Sequence, residues 1–215
     1  MFEQYHWAFY IVQGIGLTIK YSFTSVSCGL MIGALLSVCR LSGNIFLKSF
    51  AGIYVSLIRG TPVLLQLSIV YYALPGIIGY NITPFVAGVV AFSLNSAAYI
   101  AEIIRAGILS VDRGQFEAAK VLKIPYHLMM RDIILPQALR NVLPALVNEM
   151  AVMIKESAMI AIIGEADLMR RAQIVAAEQY TYFAPLLVSG VCYYILVSML
   201  TYFAKILENI LRAKY

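Results

Sequence analysis

Charge is scarce in this sequence. Only 13% of its 215 residues are charged and 61% are hydrophobic, where a soluble domain carries about 25% charged residues, so a water-soluble globular protein is excluded. Cysteine is scarce too: Cys28, Cys39 and Cys192 are scattered through apolar stretches with no Cys-x-x-Cys pair, which argues against a disulfide framework or a metal site. The two histidines, His6 and His127, are far apart and lack partners at metal or catalytic spacing. No His-Glu-x-x-His or Gly-x-Ser-x-Gly pattern occurs, and the aspartates are confined to Asp112, Asp132 and Asp167, outside the apolar runs, so a membrane-embedded enzyme lacks its nucleophile, metal set or aspartate pair. A Gly-x-x-x-x-Gly-Lys-Ser/Thr phosphate loop is missing as well, so this chain does not hold ATP by that device. Residues 1–7 show neither a basic start before an apolar core nor a small-residue cleavage site, so a removable signal peptide is not expected.

What the sequence does have is long apolar runs. A bilayer core of ~30 Å takes about 20 helical residues to cross, and five membrane helices are placed at 14–39, 61–74, 84–108, 139–163 and 185–206. The second is short, and 51–57 is expected to extend it as an interfacial helix ahead of Arg59-Gly60-Thr61-Pro62. The net charge of +5 could suggest nucleic acid, but position decides otherwise. With the N-terminus outside, Arg40, Lys48, Arg59, Arg105, Arg113, Lys120, Lys123, Arg131, Arg140, Lys205, Arg212 and Lys214 fall on the cytoplasmic side. Only Arg170 and Arg171 fall outside, with Lys20 and Lys155 within spans, so the positive-inside rule selects N-out, C-in. Tyr5, Trp7, Phe9 and Tyr10 suit an outer aromatic belt. The expected class is an all-α, multi-pass membrane protein, a single transmembrane domain over residues 1–215, in contact with lipid and not with nucleic acid.

Between the third and fourth spans, residues 110–136 form a charged island too long to be a passive connector. Asp112 followed by Gln115 reads as a capping box, which starts a helix over 113–122. Pro125 ends that helix, 126–135 makes a second, and Pro136 marks the start of the fourth span. Ala118 and Ala119 allow close approach, giving a compact knob that suits a groove in a soluble partner. A loop resting on lipid headgroups through its basic residues is the alternative.

Several motifs occur together in order: Arg59-Gly60-Thr61-Pro62 with Gln66, residues 94–102 (LNSAAYIAE) with Arg105, residues 114–119 (GQFEAA), residues 134–140 (ILPQALR), Asn148-Glu149, and Lys155-Glu156-Ser157. Over nearly its whole length the chain resembles the inner-membrane permease subunit of bacterial ATP-binding-cassette importers of the polar amino acid uptake family. The resemblance implies that the loop docks on a separate ATPase subunit through Glu117, Ala118, Ala119 and Leu122. It also implies an ATPase dimer as the site of ATP and Mg binding, a second permease that is identical or related, a periplasmic or tethered binding protein, and no cofactor in this chain. The chain itself would be a transporter subunit in the bacterial inner membrane and not an enzyme. One position departs from the family pattern: Lys123 stands where glycine is usual. Lysine adopts a left-handed backbone only at a cost, so the corner is expected to be built differently, with Pro125 fixing the bend.

Ionisable groups at membrane depth are costly and mark functional candidates. Glu149 lies about 15 Å along the fourth span at 1.5 Å per residue, near the midplane. Asn95 is at a similar depth in the third span. Glu156 is two turns beyond Glu149 on the same face, with Met153 between them. Two carboxylates and an amide suit a zwitterionic or cationic ligand, which leans toward arginine, lysine or histidine. Alternatively, Glu149 pairs with a neighbouring helix and Glu156 with Lys155, both serving packing. In family members that hold substrate inside the permease, positions matching Asn95, Glu149 and Glu156 line the pocket. Glu102 and Arg105, three residues apart, are expected to form a structural ion pair, and the Gly29-x-x-x-Gly33 motif to serve helix packing. The expected cargo is therefore a polar amino acid. A permease for another small polar solute, or a passive channel or scaffold, remains the alternative.

Overall fold

In lipid a chain must satisfy its backbone polar groups within itself, which leaves helices or closed barrels. In the computed structural model, which describes residues 6–213, every regular element is a helix. Tyr5, Lys214 and the side chain of Arg212, all placed in the sequence reading, lie outside what is described. Helix α1 (His6–Val12) runs through a turn at Gly14 into α2 (Ile15–Leu41). Asn44 then starts α3 (Ile45–Arg59), its Oδ1 accepting from the Phe46 and Leu47 N–H groups. The short helices α4 (Val63–Ser68) and α5 (Leu74–Ile78) follow, joined by a π-helical turn over Ile69–Ala73. Thr83 caps α6 (Pro84–Leu109) by accepting from the Val86 N–H. The loop carries α7 (Arg113–Val121) and α8 (Tyr126–Leu128). A second π-helical turn, Met129–Ile134, leads into α9 (Leu135–Glu156) and a 3-10 stretch over Ser157–Ile163. Helices α10 (Leu168–Glu178) and α11 (Phe183–Ala213) close the chain.

Among the described residues, three helical stretches are long and apolar enough to cross a bilayer: His6–Leu41, Pro84–Leu109 and Phe183–Ile206. Ile45–Arg59 and Val63–Ile78 qualify only as a pair, and the pair is bent by 100°, so the second expected span is one limb of a bent helix pair. The fourth expected span, α9, does not qualify on apolarity. It carries Arg140, Asn141, Asn148, Glu149, Lys155 and Glu156 within its 22 residues.

Both π-helical turns stand immediately before a Leu-Pro pair. Proline lacks an N–H and its ring crowds the carbonyl four residues back; a widened turn relieves that crowding. Accordingly the Leu74 N–H reaches back to Ile69 O and the Leu135 N–H to Met130 O. The second of these turns overrides the boundary expected at Pro136. Residues 126–156 continue as one helical run, so the loop has one separate helix, α7, packed against the base of that run.

The centre of the bundle is the α2–α6 contact, where small residues bring backbones together. A Cβ on Gly29 would sit 2.9 Å from Ser96 Cβ, and one on Gly33 would sit 2.8 Å from Ala97 O, so the GxxxG motif is a packing device here. Above it, Tyr21, Leu67, Phe92, Met153 and Ile160 form an enclosed hydrophobic core. Gly107 similarly lets α6 approach Val142 of α9.

Candidate substrate site and coupling surface

Inside the α2–α6–α9 bundle, Ser96 Oγ donates to Glu149 Oε1 at 2.8 Å, and both residues are buried. Asn95, next to Ser96 on α6, is also buried, and its Oδ1 finds no partner among the described residues. A buried acceptor without a donor calls for an explanation, because most such groups are paired. Glu156 lies at the C-terminal end of α9, half-buried and two turns beyond Glu149. Met153, between them, is fully enclosed in the hydrophobic core and packs with Tyr21 and Phe92. Glu149 and Glu156 thus stand on α9 and Asn95 on α6, two helices that the Ser96–Glu149 bond joins, while Met153 belongs to the hydrophobic core. Cavities of about 240, 540 and 220 Å³ lie between α9 and α11, between α6 and α9, and beside the bend at Thr61; none is lined by Asn95, Glu149, Met153 or Glu156.

The bend at Thr61 is pinned by Gln66. Its Nε2 donates to Ile58 O at 2.8 Å, to Thr61 O at 3.2 Å and to Thr61 Oγ1 at 3.0 Å, so the turn between α3 and α4 has its freed carbonyls satisfied. Glu102 and Arg105 form the expected pair, and Arg40 of α2 joins them from 62 residues away. Local spacing cannot reveal such a partner.

On the loop, Asp112 Oδ1 accepts from the Gly114 N–H at 2.7 Å and caps α7; no return bond from Gln115 is present among the described residues. Ala119 is buried with Ile108, Val111, Met129, Ile134 and Ala138, holding α7 on the base of the α9 run. Glu117 and Ala118 face solvent, as do Val121 (81% exposed) and Leu122 (71%). Three of the four expected coupling residues therefore lie on an open surface and Ala119 lies beneath it. Val121, which the sequence reading passed over, extends the apolar part of that surface.

The corner after α7 corrects the expectation for Lys123. Its φ is +52°, so lysine takes the left-handed conformation itself. The Ile124 N–H reaches Ala119 O at 2.9 Å and the Lys123 N–H reaches Lys120 O at 3.0 Å, the bond pair of a Schellman cap. Ile124 packs on the same cluster as Ala119, so two closing bonds and a hydrophobic contact offset the backbone strain. Lys123→Gly is expected to keep this corner and stabilise it by up to ~1 kcal/mol, relief of strain less the entropy glycine loses. A β-branched Lys123→Val should weaken it by about 1–3 kcal/mol. Exchange of the Ile124 amide hydrogen reads both changes, and an unaltered rate in Lys123→Val would show that the corner carries no strain.

At the opposite end, Asp167 is fully buried and caps α10 by accepting from the Arg170 N–H at 2.8 Å, while Tyr193 Oη donates to its other oxygen at 2.8 Å. Burial pushes its carboxyl above the usual range, against the lowering effect of these bonds. Arg171 donates to Ala166 O, Tyr10 O and Gln13 Oε1 and stacks 4.5 Å from the Tyr10 ring. Together they tie α1, α10 and α11 into one block. The sequence reading missed this role for Asp167, although an Asp directly before a helical run is a cap signal.

A family model described as the binding-protein-dependent transport system inner membrane component matches residues 28–212. A putative glutamine transport system permease protein of Rickettsia conorii is 56% identical over 201 residues, covering 94% of this chain and 92% of that one. An arginine transport system permease protein of Bacillus subtilis is 47% identical over 204 residues, covering 95% and 93%. A crystal structure of an amino acid ABC transporter with histidines superposes with a TM-score of 0.92 at 39% identity, covering 97% of each chain.

Proposed function

This chain belongs to the family of binding-protein-dependent transport system inner membrane components, and we propose that within it Asn95, Glu149 and Glu156 receive the amino acid cargo near the membrane midplane. It is the permease subunit of an amino acid ABC importer and not an enzyme; ATP is hydrolysed by a separate subunit. The observation that carries the site is the buried Asn95 Oδ1, unpaired beside the Ser96–Glu149 hydrogen bond. An acceptor and carboxylates at that depth suit the ammonium common to amino acids and a cationic or amide side chain. The relatives named for glutamine and for arginine span both side-chain types, and the two carboxylates favour the cationic one.

The chain is multi-pass in the inner membrane of a bacterium, N-out and C-in, with α9 as the least apolar of five spans. An outward-facing polar strip supports pairing with a second permease. Asn141, Asn148 and Lys155 recur every seven residues on α9 and are all exposed in the single chain, and such a strip is unsuited to lipid. Across that seam Asn95, Glu149 and Glu156 would face a shared pathway. The α7 surface, Glu117, Ala118, Val121 and Leu122, docks on the ATPase, and a binding protein delivers cargo at the Asp167 end.

Reconstitution tests the whole reading. Vesicles containing the permease, its ATPase and its binding protein should take up arginine, lysine, histidine or glutamine only with ATP. In the same vesicles, after replacement of Cys28, Cys39 and Cys192, a cysteine at Gln115 should be labelled by impermeant reagent only from the ATPase face and one at Asn81 only from the other. Uptake without nucleotide would favour a passive channel, uptake of a non-amino-acid solute alone would favour a different cargo, and labelling of both positions from one face would overturn the topology.

A further inference from the structure

Residues 4–101 contain no acidic residue, yet they contain Lys20, Arg40, Lys48 and Arg59. Lys20 stands apart, its ammonium 4.4 Å from the Phe85 ring centre. Arg40 and Arg59 stand near one carboxylate, Glu102, toward the end of α6 that leads into the 110–136 loop. Arg40 Nη2 lies 3.3 Å from Glu102 Oε2, and Arg105 Nε donates to Glu102 Oε1 at 3.0 Å. The Arg59 guanidinium stands 5.1 Å from the Tyr99 ring centre, near enough to Glu102 to interact with its charge. Arg40 is wedged against α3, where a Cβ on Gly52 would meet its Nη1 at 3.4 Å. Lys48 is one turn before Gly52 on the same face of α3. Glu102 thus answers only part of the positive charge here. The Arg40 and Arg105 side chains are 24% and 28% exposed, too enclosed for bulk water to screen them fully.

The surroundings identify what balances the surplus. On its outer side α3 exposes Phe46, Phe50, Ile53 and Leu57, and it is bent 100° from the helix that follows. A helix with an apolar outer face and cations beside it lies in the bilayer interface, at headgroup depth. Basic pockets between helices at that depth take anionic headgroups, and guanidinium groups match phosphate oxygens in a bidentate manner. We infer that the cationic patch formed by Arg40, Lys48, Arg59 and Arg105 binds the phosphate of an anionic phospholipid. Arg59 over Tyr99 forms one edge, and Glu102 holds Arg40 and Arg105 in place.

The test uses the full chain in nanodiscs of phosphatidylcholine with graded phosphatidylglycerol, with retained lipid counted by native mass spectrometry after extraction. Wild type should retain phosphatidylglycerol in preference to phosphatidylcholine. Lys48→Gln with Arg59→Gln, which leaves the Arg40–Glu102–Arg105 contacts intact, should lower that retention about five-fold for each charge removed. Arg113→Gln with Lys123→Gln removes the same charge from the 110–136 loop and should change it little. Equal retention of the two lipids by wild type, or equal loss in the two double variants, would overturn the proposal. The wild-type headgroup comparison requires no variant to fold, and the readout requires neither ATPase nor amino acid, so its failure is separate from any failure of the transport reading.

Discussion

Glu149→Gln is expected to cut uptake of arginine and lysine roughly ten- to a hundred-fold, while uptake of glutamine falls far less. The amide keeps an oxygen for the Ser96 hydroxyl, whose bond to Glu149 Oε1 is 2.8 Å, so the packing of α6 on α9 survives. What disappears is the negative charge. A hydrogen bond to a charged group contributes about 1.5–3 kcal/mol, and each ~1.4 kcal/mol is ten-fold in affinity. The measurement is uptake of a panel of amino acids by folded, ATPase-bound Glu149→Gln and Glu156→Gln complexes. Structural damage would lower every substrate equally. A uniform loss, or none, would return both carboxylates to packing and leave selectivity to the binding protein.

The parts of the fold legible in the sequence are those where one physical signal dominates. The spans centred on α2, α6 and α11 are uninterrupted apolar runs and were placed within a few residues except at the C-terminal end of α11. Asp112 announced the start of α7 because a cap is a local chemical device. The second span was harder. Its 100° bend depends on Gln66 reaching back to Ile58 and Thr61, and its π-helical turn depends on how the helix absorbs Pro75. The same accommodation at Pro136 hid the continuity of the 126–156 run. Lys123 was misjudged because a propensity argument weighs the residue alone, whereas the Ala119–Ile124 bond and the packing of Ile124 decide its backbone. Arg40 beside Glu102, and Asp167 beneath Tyr193, are contacts between distant segments. Periodicity on a single helix carries no trace of either.

The second large effect is expected on the loop. Glu117→Lys should abolish most ATP-driven uptake and reduce co-purification of the ATPase, while the permease itself inserts normally. On α7, Glu117 lies one turn from both Arg113 and Lys120, so lysine there would make a row of three cations on an exposed face. Within the helix the cost is small, about 0.2–0.5 kcal/mol for each i,i+3 or i,i+4 pair lost. At an interface, truncating one partner of a buried charge pair costs about 2–5 kcal/mol, and a reversed charge adds repulsion, so association should fall by roughly thirty-fold or more. Glu117→Gln separates the two contributions, because it removes the attraction without adding the repulsion and should give an intermediate loss. Leu122→Ala, at an exposed apolar position beside it, should weaken docking without salt dependence, whereas the Glu117 variants should respond to ionic strength. Wild-type uptake by Glu117→Lys with the ATPase still bound would show that this surface faces lipid headgroups and that coupling passes through another part of the chain.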